Sequence, residues 1–280
     1  MTRHKKTRSP TSEDLSAHYV SRYEMNRLMT GCGKIECERT RELLRRFLPQ
    51  APATILDVGG GPGGHACWLA RLGYEVHLID IVPLHVEQAK QASESQPDAQ
   101  LAGAELGDAC ALSFKTNTVD TVLLFGPLYH LTDKDDRRQA LAEAHRVLRH
   151  NGLLLAVGIS RYASALDGLR AGFLKDRRFV EIVHRDMENG QHRNPTDKPE
   201  YFTDAFFHHP DELRGELTQA GFTVDGVYGI EGPAWLVRDI DDWWAEDTHR
   251  EELLQIARAL ETERSMLGVS AHLMAVARKT

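Results

Sequence analysis

The sequence ILDVGGGPGG at residues 55–64 is a short apolar run that closes on an acid, Asp57, and opens into a glycine-rich turn. A buried strand that ends in glycines and leads into a helical pattern is typical of an open α/β sheet, which binds a nucleotide at the carboxyl edge of its strands. The stretch therefore predicts a first strand over residues 54–58 and a nucleotide pocket directly after it.

Strand and helix patterns alternate regularly on either side of this turn. Alternating strands and helices form parallel sheets with right-handed crossovers. The run VLLF at 122–125 is apolar throughout, as a strand covered by helices on both faces requires. The predicted strands cover residues 54–58, 75–79, 101–106, 119–125 and 153–159, and the predicted helices cover 38–48, 65–72, 84–93 and 135–148.

The regular alternation of strand and helix patterns stops after the fifth strand. Residues 160–209 show weak periodicity and many charges, and a segment of this length after a strand's carboxyl end is typical of a lid or specificity element. The remaining elements are a helix over 210–220, a strand over 222–230, a long helix over 241–263 and a last strand over 270–277. We predict an α/β fold with a Rossmann-like, doubly wound sheet of seven strands, mostly parallel, with the last strand antiparallel beside the sixth. Residues 1–37 form a tail and a helical arm, and residues 38–280 form one domain.

The composition indicates a globular protein whose partner is a small molecule. The formal net charge of -7 gives no support for nucleic acid as the main partner. No run approaches the ~20 apolar residues of a membrane span, and the amino terminus lacks the apolar core of a secretion signal. The four cysteines show no metal-ligand spacing, which favours reduced thiols and no bound metal. We expect a cytoplasmic monomer or homodimer that does not bind membranes.

Three acids follow three neighbouring strands of the predicted sheet. Asp57, Asp80 and Asp108 should therefore converge on one edge. Gly59, Gly61 and Gly64 also satisfy the spacing of nicotinamide-binding enzymes, but the pyrophosphate of a dinucleotide would be repelled by an extra acid at the helix amino terminus. A ligand with an ammonium, a ribose and an adenine amino group suits the three acids, which favours S-adenosylmethionine.

At these residues the chain resembles the class I S-adenosylmethionine-dependent methyltransferases, in their small-molecule branch. The motifs are LDVGGGPG at 56–63, Asp80, GDA at 107–109, residues 120–131, and RVL at 146–148 followed by Gly152. The resemblance implies glycines close to the methionine and ribose, Ile81 on the adenine face, and Phe125 with Gly126 beside the methionine. Tyr23, in the arm, is expected either to close over the cofactor or to pack. The expected cofactor residues are Asp57, Gly59, Gly60, Gly61, Gly63, Asp80, Ile81, Asp108, Ala109, Phe125, Gly126 and Tyr23.

The activity that the resemblance implies is transfer of the sulfonium methyl group to a small-molecule or peptide-like acceptor, with S-adenosylhomocysteine as product. Oxygen or nitrogen is the favoured methylated atom, ahead of carbon or sulfur. Two alternatives stay open. A catalytically silent protein would keep the cofactor site and have no acceptor, and a nicotinamide-dependent oxidoreductase would leave Asp108 unexplained.

Residues on the acceptor side are predicted from their places after the strands and in the lid. His130 and His192 are candidate bases, since an acceptor that carries a proton must release it. The alternative is a structural histidine at 130 and packing at 192. Arg161 either binds an acceptor anion or pairs with Asp167. The predicted acceptor contacts are Tyr129, Arg161, Tyr162, Arg193, Tyr201 and Trp235.

Overall fold

The computed structural model describes residues 27–280, and its centre is a mixed β-sheet. Among these residues, no helix is both long and apolar enough to cross a membrane. Within residues 27–280 the strands are β1 (Thr54–Val58), β2 (Glu75–Asp80), β3 (Gly103–Leu106), β4 (Val119–Leu124), β5 (Leu148–Ser160), β6 (Gln191–His192), β7 (Ala205–His208), β8 (Phe222–Gly229) and β9 (His272–Lys279).

Seven of these strands form the predicted sheet, in the order β3-β2-β1-β4-β5-β9-β8. The first five are parallel to one another, and β9 runs antiparallel to both β5 and β8. The predicted fold class and the antiparallel last strand are therefore confirmed. The short strand β7 adds to the end of β5 in parallel, and β6 pairs antiparallel with β7.

Helices cover both faces of the sheet, which explains why its central strands are apolar without alternation. Leu56 and Val122 pack with one group of helices, whereas Ile55 and Leu123 pack with the other. The helices are α1 (Gly33–Phe47), α2 (Gly64–Arg71), α3 (Pro83–Glu94), α4 (Pro127–His130), α5 (Lys134–Val147), α6 (Ala163–Ala171), α7 (Arg177–Asn189), α8 (Pro210–Gln219), α9 (Ile240–Ala245) and α10 (Asp247–Leu260).

Two predictions about the carboxyl-terminal half need correction. Residues 160–209 contain two helices, α6 and α7, and one apolar face of α7 carries Phe179, Ile182 and Val183 at helical spacing. The predicted long helix over 241–263 is two helices, because Glu246 adopts an extended conformation between them. The predicted arm over residues 1–37 lies largely outside the described residues.

Candidate active site

The glycine-rich turn joins β1 to α2 and brings backbone to the edge of a cavity. Gly59, Gly61 and Gly63 all have positive φ angles, between 56° and 85°, which only glycine adopts without strain. A Cβ atom on Gly59 would lie 2.7 Å from the Pro127 ring, so the turn also packs closely against the start of α4. A Cβ atom on Gly61 would meet nothing within 4 Å. The backbone at Gly61 is therefore open to a ligand.

Asp80 is held rigidly at the end of β2. One carboxylate oxygen accepts a hydrogen bond from the Gly61 amide at 2.8 Å, and the other accepts one from the Val82 amide at 2.8 Å. His85 Nδ1 lies 3.2 Å from the second oxygen. These bonds tie the acid to the glycine turn and fix its orientation towards the cavity that it lines.

Asp57 is buried at the end of β1, and its carboxylate has no cation among its described neighbours. Burial, reinforced by the charge of Asp80, raises the pKa of Asp57 to about 7. Asp108, by contrast, is exposed at the end of β3 and accepts a hydrogen bond from the Cys110 amide at 2.8 Å. The edge of the sheet thus carries acids that a cationic ligand would neutralise.

A cavity of about 390 Å³ opens between these groups, and we call it the cofactor cavity. Its walls include every residue predicted for the cofactor within 27–280, whereas Tyr23 lies outside the described residues. The structure therefore brings the predicted set together in one place, and their roles in binding stay predictions. The predicted residues that line it are Asp57, Gly59, Gly60, Gly61, Gly63, Asp80, Ile81, Asp108, Ala109, Phe125 and Gly126.

A second cavity, of about 590 Å³, adjoins the first, and we call it the acceptor cavity. Arg27, Glu36, Tyr129 and His272 line both cavities and so form a shared wall. Most of the other walls come from the lid segment, at 160–209, and they are rich in rings. The aromatic wall residues are Tyr129, Phe179, Tyr201, Phe202, Phe207 and Trp235.

Charged groups of opposite sign meet at the shared wall. His272 Nδ1 lies 2.6 Å from a carboxylate oxygen of Glu231, and Arg27 donates to Glu36 at 2.8 Å. Burial opposes the charge on His272, but the charges of Glu36 and Glu231 outweigh it and raise the pKa of the imidazole to about 9. Burial works against the charge of Glu36, yet Arg27 and His272 lower the pKa of that carboxyl to about 2. His272 and Glu36 are therefore both charged at neutral pH.

The two predicted bases occupy different cavities. His130 lines the cofactor cavity, where its ring stacks on Phe202 with centroids 6.3 Å apart. His192 lines the acceptor cavity, but its Nδ1 lies 2.7 Å from Asp186 and its Nε2 lies 2.8 Å from the Tyr201 carbonyl oxygen. Because both partners accept hydrogen bonds, neither nitrogen of His192 is available to receive a proton. The predicted base role for His192 does not fit this geometry.

Three of the predicted acceptor contacts lie away from both cavities. Arg161 is buried, donates to the Phe207 carbonyl oxygen and pairs with Glu212 rather than with Asp167. Tyr162 is 39% exposed and packs against His209. Arg193 bonds Gln191 and Asp204. In contrast, Tyr129, Tyr201 and Trp235 line the acceptor cavity, and their contacts with an acceptor stay predictions.

The sequence analysis missed the charged residues of the shared wall. Glu36, Glu231 and His272 come from α1, from the end of β8 and from β9, so no spacing along the chain connects them. His272 did carry a signal, because it opens a strand whose next five residues are all buried. An imidazole at the amino end of an antiparallel last strand lies at the carboxyl edge of the parallel strands, where such sheets bind ligands.

A doubly wound sheet with a glycine turn and acids along its carboxyl edge defines an α/β enzyme that binds a nucleotide cofactor. A profile described as a methyltransferase domain matches residues 56–156. The ubiquinone/menaquinone biosynthesis C-methyltransferase UbiE of Acidiphilium cryptum is 29% identical over 195 residues, which cover 69% of this chain and 75% of that protein.

Solved structures share the fold. A methyltransferase of Methanosarcina mazei, described as S-adenosylmethionine-dependent, superposes with a TM-score of 0.57 at 21% identity, over 85% of this chain and 96% of its own. The (4+2)-cyclase SpnF superposes with a TM-score of 0.63 at 15% identity, over 98% of this chain and 99% of its own. At such identities the structures show the fold alone.

The methyltransferase-domain profile, the UbiE relatives and the shared fold together support this chain as a class I S-adenosylmethionine-dependent methyltransferase. It is an enzyme that uses S-adenosylmethionine as methyl donor and releases S-adenosylhomocysteine. This assignment replaces both alternatives left open by the glycine spacing, the nicotinamide oxidoreductase and the silent binding protein.

Proposed function

We propose that this enzyme methylates a carbon atom of a small, largely apolar molecule that contains a planar ring. The observation that carries the proposal is the acceptor cavity, which adjoins the cofactor cavity and has aromatic walls. Aromatic side chains favour flat ligands, because offset and edge-on ring pairs add to the gain from apolar burial.

The shared wall supports direct transfer between the two cavities. Methyl transfer requires the accepting atom to lie about 3 Å from the methyl carbon, opposite sulfur, and alignment is the main source of acceleration. Phe125 and Gly126 line the cofactor cavity, and Tyr129, only three residues beyond Gly126, lines both. An acceptor that rests against Tyr129 would therefore reach the methyl group without a further opening.

Carbon replaces the oxygen or nitrogen favoured by the sequence analysis. Several relatives, including the 29% identical protein of Acidiphilium cryptum, are named C-methyltransferases. Methylation at carbon makes few demands on the residues of the cavity. A ring carbon needs no dedicated base before it attacks if the ring already carries an electron-releasing oxygen. Unlike an amine acceptor, such a ring needs no carboxylate to bind a nitrogen atom.

The test is an acceptor screen with 13C-methyl-labelled S-adenosylmethionine. The panel pairs hydroxylated rings, such as 1-naphthol, with matched amines and thiols of the same carbon frame. We expect a mass gain of one methyl for hydroxylated rings and a carbon-bound methyl signal in the 13C spectrum. Products that carry only oxygen-bound or nitrogen-bound methyl groups would contradict methylation at carbon. Calorimetry with S-adenosylhomocysteine, run in parallel, shows whether the cofactor site is competent.

A further inference from the structure

We propose that His272 donates a hydrogen bond from Nε2 to an oxygen atom of the acceptor, so that the acceptor is a phenol or an enol bound as its anion. This inference rests on the proposed function and deepens it by naming the group that the acceptor must carry. Glu231 is a positioning residue, because it holds the imidazole of His272 in the orientation that this hydrogen bond requires.

The position of His272 suits such a role. It lies at the start of β9, its side chain is 19% exposed, and it lines both cavities. An oxygen held here would sit at the boundary between the methyl donor and the aromatic walls. The ring carbon ortho to that oxygen, two bonds away from it, would then also lie near this boundary.

The orientation of His272 is set by a chain of hydrogen bonds. Glu231 is buried, and one of its oxygens accepts from the Ser270 hydroxyl at 2.9 Å and from the His272 amide at 3.0 Å. Its other oxygen accepts from His272 Nδ1 at 2.6 Å. With Nδ1 engaged in this way, Nε2 is left as the second donor of the imidazolium. Nε2 has no hydrogen-bond partner within residues 27–280.

The charges around His272 keep it protonated and leave room for one more anion. Glu36 on α1 and Glu231 after β8 face the imidazole, and Arg27 faces Glu36. His65 on α2 also acts on Glu36, but burial lowers its pKa to about 4, so it is neutral. The two carboxylates and the two cations balance. An acceptor anion would then be matched by the positive sulfonium of S-adenosylmethionine.

A divalent cation is a less favourable occupant of the same cluster. One ligand atom each from Glu36, Glu231 and His272 lies within 4.8 Å of the other two, as in a metal site. Arg27, however, donates to both oxygens of Glu36, and the nitrogen of His272 nearest the carboxylates is Nδ1, already bonded to Glu231. A metal ion would have to displace both cations, which the balanced charges oppose.

The chemistry that follows is balanced without a further reagent. The ring carbon ortho to the anionic oxygen attacks the methyl carbon, and the carbon–sulfur bond breaks with its electron pair left on sulfur. The acceptor oxygen becomes a carbonyl that still accepts from His272 Nε2. Loss of a proton from the methylated carbon to water restores the aromatic ring and its anionic oxygen.

The probe for this site is 4-nitrophenol, whose anion absorbs visible light, compared with nitrobenzene, which lacks the hydroxyl group. Both are titrated into the full-length protein saturated with sinefungin, a non-reactive analogue of S-adenosylmethionine that carries an ammonium group in place of the sulfonium. We expect 4-nitrophenol to bind about tenfold more tightly than nitrobenzene, the scale of one charge-assisted hydrogen bond, and to bind as the anion below its solution pKa. Equal affinities for the two compounds, or binding of the neutral phenol, would overturn the proposal. This test needs only the wild-type protein.

Variants assign the effect to His272. His272→Gln should abolish the preference for 4-nitrophenol while S-adenosylhomocysteine still binds, and Glu231→Gln should reduce the preference, because the imidazole loses its charged partner. His150→Gln, at an exposed histidine, is the matched control and should behave as wild type. An unchanged preference in His272→Gln would also overturn the proposal.

Two further measurements separate the possible failures. Mg²⁺ or Mn²⁺ alone, titrated by calorimetry, should give no binding that depends on Glu36, and a signal lost in Glu36→Gln would favour the metal site instead. Failure of wild-type protein to bind S-adenosylhomocysteine would count against the cofactor site. Carbon methylation in the acceptor screen with no preference for 4-nitrophenol would leave the proposed function standing and remove only the role of His272.

Discussion

The two cavities differ in how their acids are neutralised. In the cofactor cavity, Asp57 is buried without a described cation nearby, and its pKa is raised to about 7. In the shared wall with the acceptor cavity, Glu36 is paired with Arg27 and Glu231 with His272. The first cavity therefore favours a ligand that carries a positive charge, such as the ammonium group of S-adenosylmethionine. The second is already balanced and suits a neutral or weakly acidic ligand.

The cavities also differ in what builds them. The cofactor cavity consists largely of backbone and of acids at the ends of β1, β2 and β3, which are neighbours in the sheet. The acceptor cavity consists of side chains from the amino-terminal helix, the lid and the carboxyl-terminal strands. Changes in the first should therefore affect the methyl donor, and changes in the second should affect only the acceptor.

The largest expected effect is that of Gly61→Leu. Its added side chain meets no protein atom at Cβ, so it should occupy the ligand's space and lower the affinity for S-adenosylhomocysteine by at least about 100-fold in calorimetry. Gly172→Leu is the matched control, since Gly172 has φ +78° and open space but lines neither cavity. Both variants carry the same backbone strain, about 1–2 kcal/mol. Equal losses of affinity in the two variants would contradict a close approach of the ligand to Gly61.

A smaller effect is expected for Asp80→Ala. Loss of a charge-assisted hydrogen-bond acceptor should weaken S-adenosylhomocysteine binding by about 1.5–3 kcal/mol, and it also releases the amides of Gly61 and Val82. Binding of 4-nitrophenol, in the acceptor cavity, should change far less. Asp98→Ala, at an exposed position, is the control. Unchanged cofactor affinity would contradict the role of Asp80.

The last prediction concerns the stability of the ligand-free protein, and it tests the unpaired acid. Because the pKa of Asp57 is raised from its unfolded value near 4 to about 7, the stability that Asp57 contributes is fully present below about pH 4 and is lost as the pH rises through 7. Asp57→Asn cannot ionise, so without ligand its unfolding free energy should exceed that of wild type by up to about 4 kcal/mol at pH 8. The difference should vanish near pH 4.

Chemical denaturation at both pH values measures this difference, and calorimetry should show that the same variant binds S-adenosylhomocysteine more weakly. An equal unfolding free energy at pH 8 would mean that a cation neutralises Asp57 in the free protein. The two cavities would then not differ in the way described above, because the acid of the cofactor cavity would also be paired.

The cofactor side was predictable because each part of it is local in sequence. Asp57, Asp80 and Asp108 each follow a strand, and parallel strands deliver their ends to one edge. The lid was predicted less well, since the apolar face of α7 is short and surrounded by charges, and the predicted contacts Arg161 and Arg193 find partners inside the protein. A charged residue in a lid does not reveal from sequence whether it faces a ligand or another charge.

The sequence by itself determined the sheet, the glycine turn and the acids that make the cofactor cavity, because alternating patterns and strand ends fix their relative positions. Only the tertiary structure decided the acceptor side. Glu36, Glu231 and His272 lie on segments far apart in the chain, and they meet because β9 inserts between β5 and β8 while α1 packs nearby. Long-range packing of this kind has no period in the sequence, so its charges can be paired only once the chain is folded.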